Sequence, residues 1–424
     1  MLASVASMID QFNLPNIRLL LGMGYEVHVA CNFREGNTCD KKRLRGLKKK
    51  LAAMHVAWHQ WDCPRSAASL RKCARAYRQL CRLLGQQGFS WMHCHSPVGG
   101  ALARLAAHRY GVRVVYTAHG FHFYQGAPLR NWLLYYPVEK LLSYWTDVLI
   151  TVNREDYGFA RRRLGAGKVF YIPGVGVDLA EFLSPACLDE RLCGASENLQ
   201  DKRFCNTSEN LRNKQLCGAS ENLWNKQFCG ASENLRDARF CEMFGIPQGA
   251  SVLLSVGELI PRKNHRMVLD ALAALGRPDV YYLVCGQGPL RGELRQYAHR
   301  RGVGGRVRLA GYQERMGWIL ENADIFVFPS LQEGLPVALL EAMAAGLPCA
   351  VSDIRGNREL VRAGERFAPD SPGGLAGLLG RLLEDGAYRQ ACGASNRRRV
   401  RRYALCRVEA RMERIYRAMD STNI

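Results

Sequence analysis

Short β-rich apolar runs alternate with longer helical stretches along this chain, and the alternation occurs twice. The runs fall at 26–30, 91–95, 112–117 and 148–152, then at 251–256, 280–285, 307–309, 325–328 and 348–352. Helical patterns such as 41–54 and 99–108 lie between them. Strand-then-helix order repeated in this way predicts parallel sheets covered on both faces, so an α/β fold of two doubly wound domains is expected. A ligand cleft then belongs between the domains, at the carboxyl ends of their strands. Only residues 2–6 precede a loop over 7–12 and a helix over 13–21. The first strand is therefore either abbreviated or starts upstream.

At 424 residues the chain is long enough for such a pair of cores. A content of 48% hydrophobic and 23% charged residues excludes wholesale disorder and collagen-like or coiled-coil architectures. The net charge of +21 calls for an anionic partner: a phosphate-bearing ligand, acidic lipid or nucleic acid. Sixteen cysteines without a C-x-x-C pair, and no basic n-region before the mildly apolar stretch within residues 1–11, predict free thiols rather than a disulfide framework. His93-Cys94-His95 and His119/His122 have metal-like spacing, but the first reads as an alternating strand end. No uninterrupted apolar run reaches the ~20 residues of a membrane span. The best stretch, 334–351, contains Glu341 and two prolines. A cytoplasmic or peripheral protein is expected.

A tandem repeat separates the halves. Cys193, Cys205, Cys217, Cys229 and Cys241 stand twelve apart and mark four units over 193–240. Each unit offers little apolar surface to stack on a neighbour, so an expanded surface loop is expected rather than a solenoid. The domain boundaries follow: 1–180, an insertion at 187–241, a second domain at 242–387, and terminal helices at 388–424.

The densest chemical signal is the segment 328–348, FPSLQEGLPVALLEAMAAGLP. A strand ends near Pro329, a loop carries Glu333-Gly334, and Pro336 suits the first turn of a helix closed by Gly346. Gly334 and Leu335 would then offer amides at a helix N-terminus, where phosphate oxygens bind. Glu341 is the lone acid in an apolar helix. Once buried it needs donors: ribose hydroxyls, a backbone amide or a lysine. Gly257 leads a second loop after a strand, with Arg262 and Lys263 at its tip, a pair suited to a diphosphate. His119-Gly120-Phe121 follows a strand of the first half. Cys285-Gly286-Gln287-Gly288 also follows a strand but lacks the dinucleotide spacing G-x-G-x-x-G.

These residues resemble the family-4 retaining glycosyltransferases of the GT-B fold, and within them the subgroup building bacterial capsule and exopolysaccharide. The likeness rests on Glu333 and Glu341 in their E-x7-E spacing within EGLP, and on HGF at 119–121. PLRNWLLYYPVEK at 128–140, PGVGVDL at 173–179 and SVGEL at 255–259 extend it over nearly the whole chain outside 187–241. It implies a GT-B enzyme, two Rossmann-like domains facing a cleft, that transfers a sugar from a nucleotide donor, by expectation a UDP-sugar. Glu341 would bind the ribose and Glu333 the donor sugar, while Gly334, Leu335 and Lys263 hold the diphosphate. His119 would contact the sugar near the reacting centre. No cofactor and no metal are implied, in keeping with the absence of an Asp-x-Asp motif. The terminal helices would pack back on the first domain, bringing the basic run 397–402 with them. One departure stands out: many relatives carry Arg at the place of Glu258 and Glu at that of Arg262, so Arg262 is expected to serve as the second diphosphate cation.

The subgroup's acceptors are polyprenyl-diphosphate-linked or oligosaccharide. Residues 41–50 hold seven basic residues on a helix with Leu44, Leu47 and Leu51 on one face, and Arg71, Lys72, Arg75, Arg78 and Arg82 follow on another. These predict docking on an anionic membrane at the inner face of the plasma membrane, against the alternative of merely solvated helices. No helix-turn-helix, zinc finger or RNP-like strand supports a nucleic-acid partner. A GT-B scaffold without activity is the other reading; a pyridoxal-type phosphorylase lacks its lysine context, and a sucrose-type synthase is a minor rival.

Overall fold

The computed structural model describes residues 1–35, 41–182 and 236–420. The first domain carries six parallel strands: β1 (His28–Cys31), β2 (Ala57–Gln60), β3 (Trp91–His95), β4 (Arg113–Ala118), β5 (Val148–Thr151) and β6 (Lys168–Tyr171). β1 pairs with β2, and β3 to β6 pair in sequence order. One residue joins the two groups. Leu2 bridges Ala30 and Cys94; its amide donates to the His93 carbonyl at 2.8 Å and its carbonyl accepts from His95 at 2.9 Å. Of the residues that follow, those read as a loop form helix α1 (Ala6–Phe12) instead.

Strand residues alternate between two layers. Val115, Val148 and Ile150 face α1, α2 (Leu14–Gly22) and α3 (Lys41–Ala53). Val114, Tyr116 and Leu149 face α4 (Leu70–Gln86), α5 (Pro97–Tyr110), α6 (Leu129–Ser143) and α7 (Arg154–Arg163). On α3 the sequence reading needs correction. Leu47 and Leu51 are fully buried and Leu44 packs beside them, so the leucine face meets the core and not a membrane.

The second domain begins earlier than residue 242. Helix α8 (Ala238–Phe244) is capped by Asp237 and buries Phe240 completely, while Arg236 pairs with Asp324 at 2.5 Å. The last residues of the repeat thus belong to this core; 193–235 lie outside the described residues. The sheet comprises β7 (Ser251–Val256), β8 (Val280–Cys285), β9 (Val307–Gly311), β10 (Ile325–Phe328), β11 (Cys349–Ser352) and β12 (Arg366–Phe367), in the order β12-β11-β10-β7-β8-β9. Every pairing is parallel. Consecutive strands run outward from β7 on one side and from β10 on the other, so the chain reverses direction between those neighbours. That reversal opens a crevice at their carboxyl ends.

Helices α9 (His265–Leu275), α10 (Arg291–Arg300), α11 (Met316–Glu321), α12 (Val337–Ala344), the short α13 (Arg355–Arg358), α14 (Pro372–Glu384) and α15 (Gly386–Val400) surround this sheet. The final helix α16 (Leu405–Asp420) crosses to the first domain, where Met412, Ile415 and Tyr416 are buried. Of the terminal helices, only α16 makes this crossing. α15 stays with the second domain, where Arg397 donates to the Ala345 carbonyl and Arg399 to that of Leu360. The two interdomain crossings lie side by side: Val177 donates to Tyr403 at 3.0 Å and accepts from Leu405 at 2.9 Å.

Candidate active site

Both loops singled out in the second half leave the sheet at its reversal point, one after β7 and one after β10. The β7 loop turns at Gly257 and ends in a tight turn, Pro261–Lys263. A Cβ on Gly286 would collide with the Gly257 carbonyl, so the glycines after β8 let two loops touch and do not cradle a dinucleotide. The β10 loop meets this turn, and the Leu331 amide donates to the Arg262 carbonyl at 2.9 Å.

Between them lies a compact ion cluster. Glu333 accepts from Lys263 Nζ at 2.7 Å and from Arg262 Nη1 at 2.8 Å through the same oxygen, Oε1. Lys263 also sits 4.9 Å from the Phe328 ring centre. The lysine and glutamate side chains are only 13% and 12% exposed, whereas Arg262 is 40% exposed. Lys263 is thus the enclosed cation and Arg262 its wetter neighbour.

Pro336 stands at the N-cap of α12 with extended backbone, one position before the first turn expected for it. Among the described residues no acceptor takes the amides of Gly334 or Leu335. Gly334 meets the other domain directly: a Cβ there would run into the His119 carbonyl, and one on Gly120 would come within 3.1 Å of Gly334 Cα. His119 is therefore brought to the same crevice as Arg262, Lys263, Glu333 and Gly334. Glu341, in the second turn of α12, stands apart from them beside Glu181. Among the described residues no lysine or backbone amide donates to its carboxylate. Burial, with a lesser push from Glu181, raises its pKa to about 7.

The first domain answers with neutral groups. His95 Nδ1 lies 3.1 Å from His119 Nε2, and His93 bonds Tyr416 and Thr117 at 2.9 and 2.8 Å. Burial lowers the pKa of His119 to about 4 and holds His93 and His95 well below the ordinary range, so all three are uncharged imidazoles near neutrality. No group of three or more metal-ligating side chains forms among the described residues.

Residues 240–399 match the family model for glycosyl transferases group 1, and residues 17–181 that for glycosyltransferase family 4. EpsD of Bacillus subtilis (strain 168), assigned to the glycosyltransferases, is 31% identical over 96% of this chain and 93% of its own length. The chain belongs to these glycosyltransferases. An Escherichia coli member, named UDP-Gal:alpha-D-GlcNAc-diphosphoundecaprenol alpha-1,3-galactosyltransferase, is 30% identical across 69% of this chain and 65% of its own. The crystal structure of Anabaena HepE in complex with UDP and glucose superposes with a TM-score of 0.70 at 15% identity, covering 98% of both chains. The glycosyltransferase fold is GT-B.

Three residues of this candidate site escaped the sequence reading. Arg355, just after β11, reaches across the domains to Asp156 at 2.5 Å and to the Phe121 carbonyl at 2.7 Å, with Tyr124 beneath it at 4.4 Å. Asp156 in turn accepts from the Phe121 amide at 3.1 Å, so both backbone groups of Phe121 are clamped. The post-strand placement of Arg355, shared with Lys263 and His119, was the available signal. His95 is the third: its place at the end of β3 fits a strand end, yet it is also the hydrogen-bond partner of His119.

Proposed function

We propose that the chain is a retaining, metal-independent glycosyltransferase. It would move a hexose from a UDP-sugar to a polyprenyl-diphosphate-linked or oligosaccharide acceptor in capsule or exopolysaccharide synthesis. The observation that carries this reading is the pair of Gly334 and Leu335 amides, without acceptors among the described residues, on the loop whose Glu333 pairs with Lys263. Oriented amides and an enclosed ammonium suit a diphosphate, whose charge grows as the sugar leaves. Support for the donor comes from HepE, crystallised with UDP-glucose. The name of the E. coli relative supports a lipid-diphosphate acceptor.

On donor binding the diphosphate oxygens would take Lys263 and Arg262, exchanging one ion pair for another. Glu333 would then be released to accept hydroxyls of the sugar. The bond from the anomeric carbon to the leaving phosphate breaks as the acceptor oxygen bonds to the same face. The acceptor proton passes to the departing phosphate oxygen. Neutral His119 hydrogen-bonds the sugar, and Glu341 takes the ribose hydroxyls that supply its missing donors. The cations of α4 favour an anionic membrane at the inner face of the plasma membrane, where such acceptors reside.

Calorimetric titration of UDP and GDP into the wild type and Glu341→Gln tests the donor site. UDP is expected to bind, and the substitution to weaken it by about 1 kcal/mol, as loss of a charge-assisted hydrogen bond should. If neither nucleotide binds, the reading fails and a scaffold without activity takes its place. Turnover unaffected by chelators is the expectation for the metal-independent step.

A further inference from the structure

Helix α6 is inside out for a helix of a globular domain. Leu129, Leu133, Leu134, Val138 and Leu141 are between 51% and 72% exposed, and Tyr144 just beyond its end is 62% exposed. Isolated exposed leucines are ordinary, but a run of this size on a single helix marks a contact surface. The helix is nonetheless firmly seated. On its inner side Glu139 forms a buried two-pronged pair with Arg104 of α5 at 2.6 and 3.0 Å, and Trp132 and Tyr136 pack into the core.

The surroundings indicate what covers it. α4, α5 and α6 lie side by side on one face of the sheet. Their outer surface carries Arg71, Arg75, Arg78, Arg82, Arg109 and Arg130, all exposed. Glu139 is the only acid in the three helices, and it is buried. A second copy of this chain would set these cations against one another; an anionic bilayer complements both the apolar strip and its basic flank. α6 is also coupled to the crevice. Asn131 donates to the His122 carbonyl at 3.0 Å and Tyr135 stacks on His122 at 4.6 Å, three residues from His119.

We propose that α6 lies in the surface of an anionic lipid bilayer, its leucines among the acyl chains and the arginines of α4 and α5 on the headgroups. This deepens the proposed use of a lipid-linked acceptor, because the segment bearing His119 is then held at the membrane where that acceptor is embedded. It also shifts the apolar contact from α3, whose leucines are buried, to α6.

Flotation of the full-length protein with phosphatidylcholine vesicles, with and without phosphatidylglycerol, tests it against L133S/L134S. The wild type is expected to float with the phosphatidylglycerol vesicles and the double variant to partition at least tenfold less, with UDP affinity unchanged. Equal flotation of both proteins overturns the proposal, as does equal binding to neutral vesicles. A wild-type dimer that the variant dissociates, without vesicle binding by either, would instead make α6 a self-interface. If UDP fails to bind while vesicle binding still depends on Leu133 and Leu134, the donor reading falls and the membrane assignment stands.

Discussion

Two ion clusters, one in each domain, are used in opposite ways. In the first, Arg104 and Glu139 satisfy one another through two hydrogen bonds, and the guanidinium lies 4.0 Å from the Tyr116 ring centre. In the second, Lys263 and Arg262 share a single oxygen of Glu333 at the open end of a crevice. One cluster is complete and joins two helices; the other is over-supplied with positive charge and can trade partners. The charge that locks structure sits in the first domain, and the charge free to change partners sits in the second.

The largest effect expected from this contrast is on folding. Arg104→Met strands a buried carboxylate and should cost about 3–5 kcal/mol in denaturant unfolding, with UDP affinity of the folded fraction unchanged. A loss of UDP binding at constant stability would break the distinction. The mirror experiment is Lys263→Ala. Arg262 still pairs Glu333, so thermal stability should barely move, while kcat falls roughly 10²–10³-fold, the usual effect of deleting one charge-stabilising donor.

Glu341 sharpens the comparison through pH. Its folded pKa near 7 exceeds the ordinary 4.5, so with rising pH the unfolded chain releases its proton first. Stability contributed by the protonated form is therefore lost between about pH 4.5 and 7, by at most about 3 kcal/mol. Unfolding of Glu341→Gln across that range should show this slope removed. Arg262→Ala should have a smaller effect, weakening UDP by less than about 1 kcal/mol because the guanidinium is partly solvated. Unchanged affinity and turnover would leave Lys263 as the sole diphosphate cation. Least of all, His119 with a pKa of about 4 should impose no fall in kcat/KM between roughly pH 8 and 5.5.

Runs of Val, Ile and Phe made β5, β7, β8 and β10 readable, because buried parallel strands are apolar throughout. Edge strands β2 and β6 carry mixed residues such as His59 and Lys168 and gave no such signal. The first strand was unreadable for a different reason: its bridging is done by Leu2, too short for any pattern. In the crevice, Glu333 and Lys263 were legible from loops that follow strands, but their mutual pairing was not, since 70 residues separate them. Arg355 shows the same limit, joining Asp156 across 199 positions. Helical periodicity placed Leu47 and Leu51 on one face of α3 without saying whether core or lipid lay against it. On α6 the apolar residues ring the helix, and only the packed structure shows which of them face outward.

The crossing of α16 has a consequence for biosynthesis. The core of the first domain takes Met412, Ile415 and Tyr416 from residues translated after the whole second domain. The second domain, 236–400, has all its own strands and helices once α15 has emerged from the ribosome. Although nascent domains ordinarily fold in order from the amino end, here the domain translated first is the one completed last. His93 acquires its Tyr416 partner only at that point. A stop codon at 405 would spare the core of the second domain, Tyr403 and Ala404 included, and leave that of the first without its closing helix.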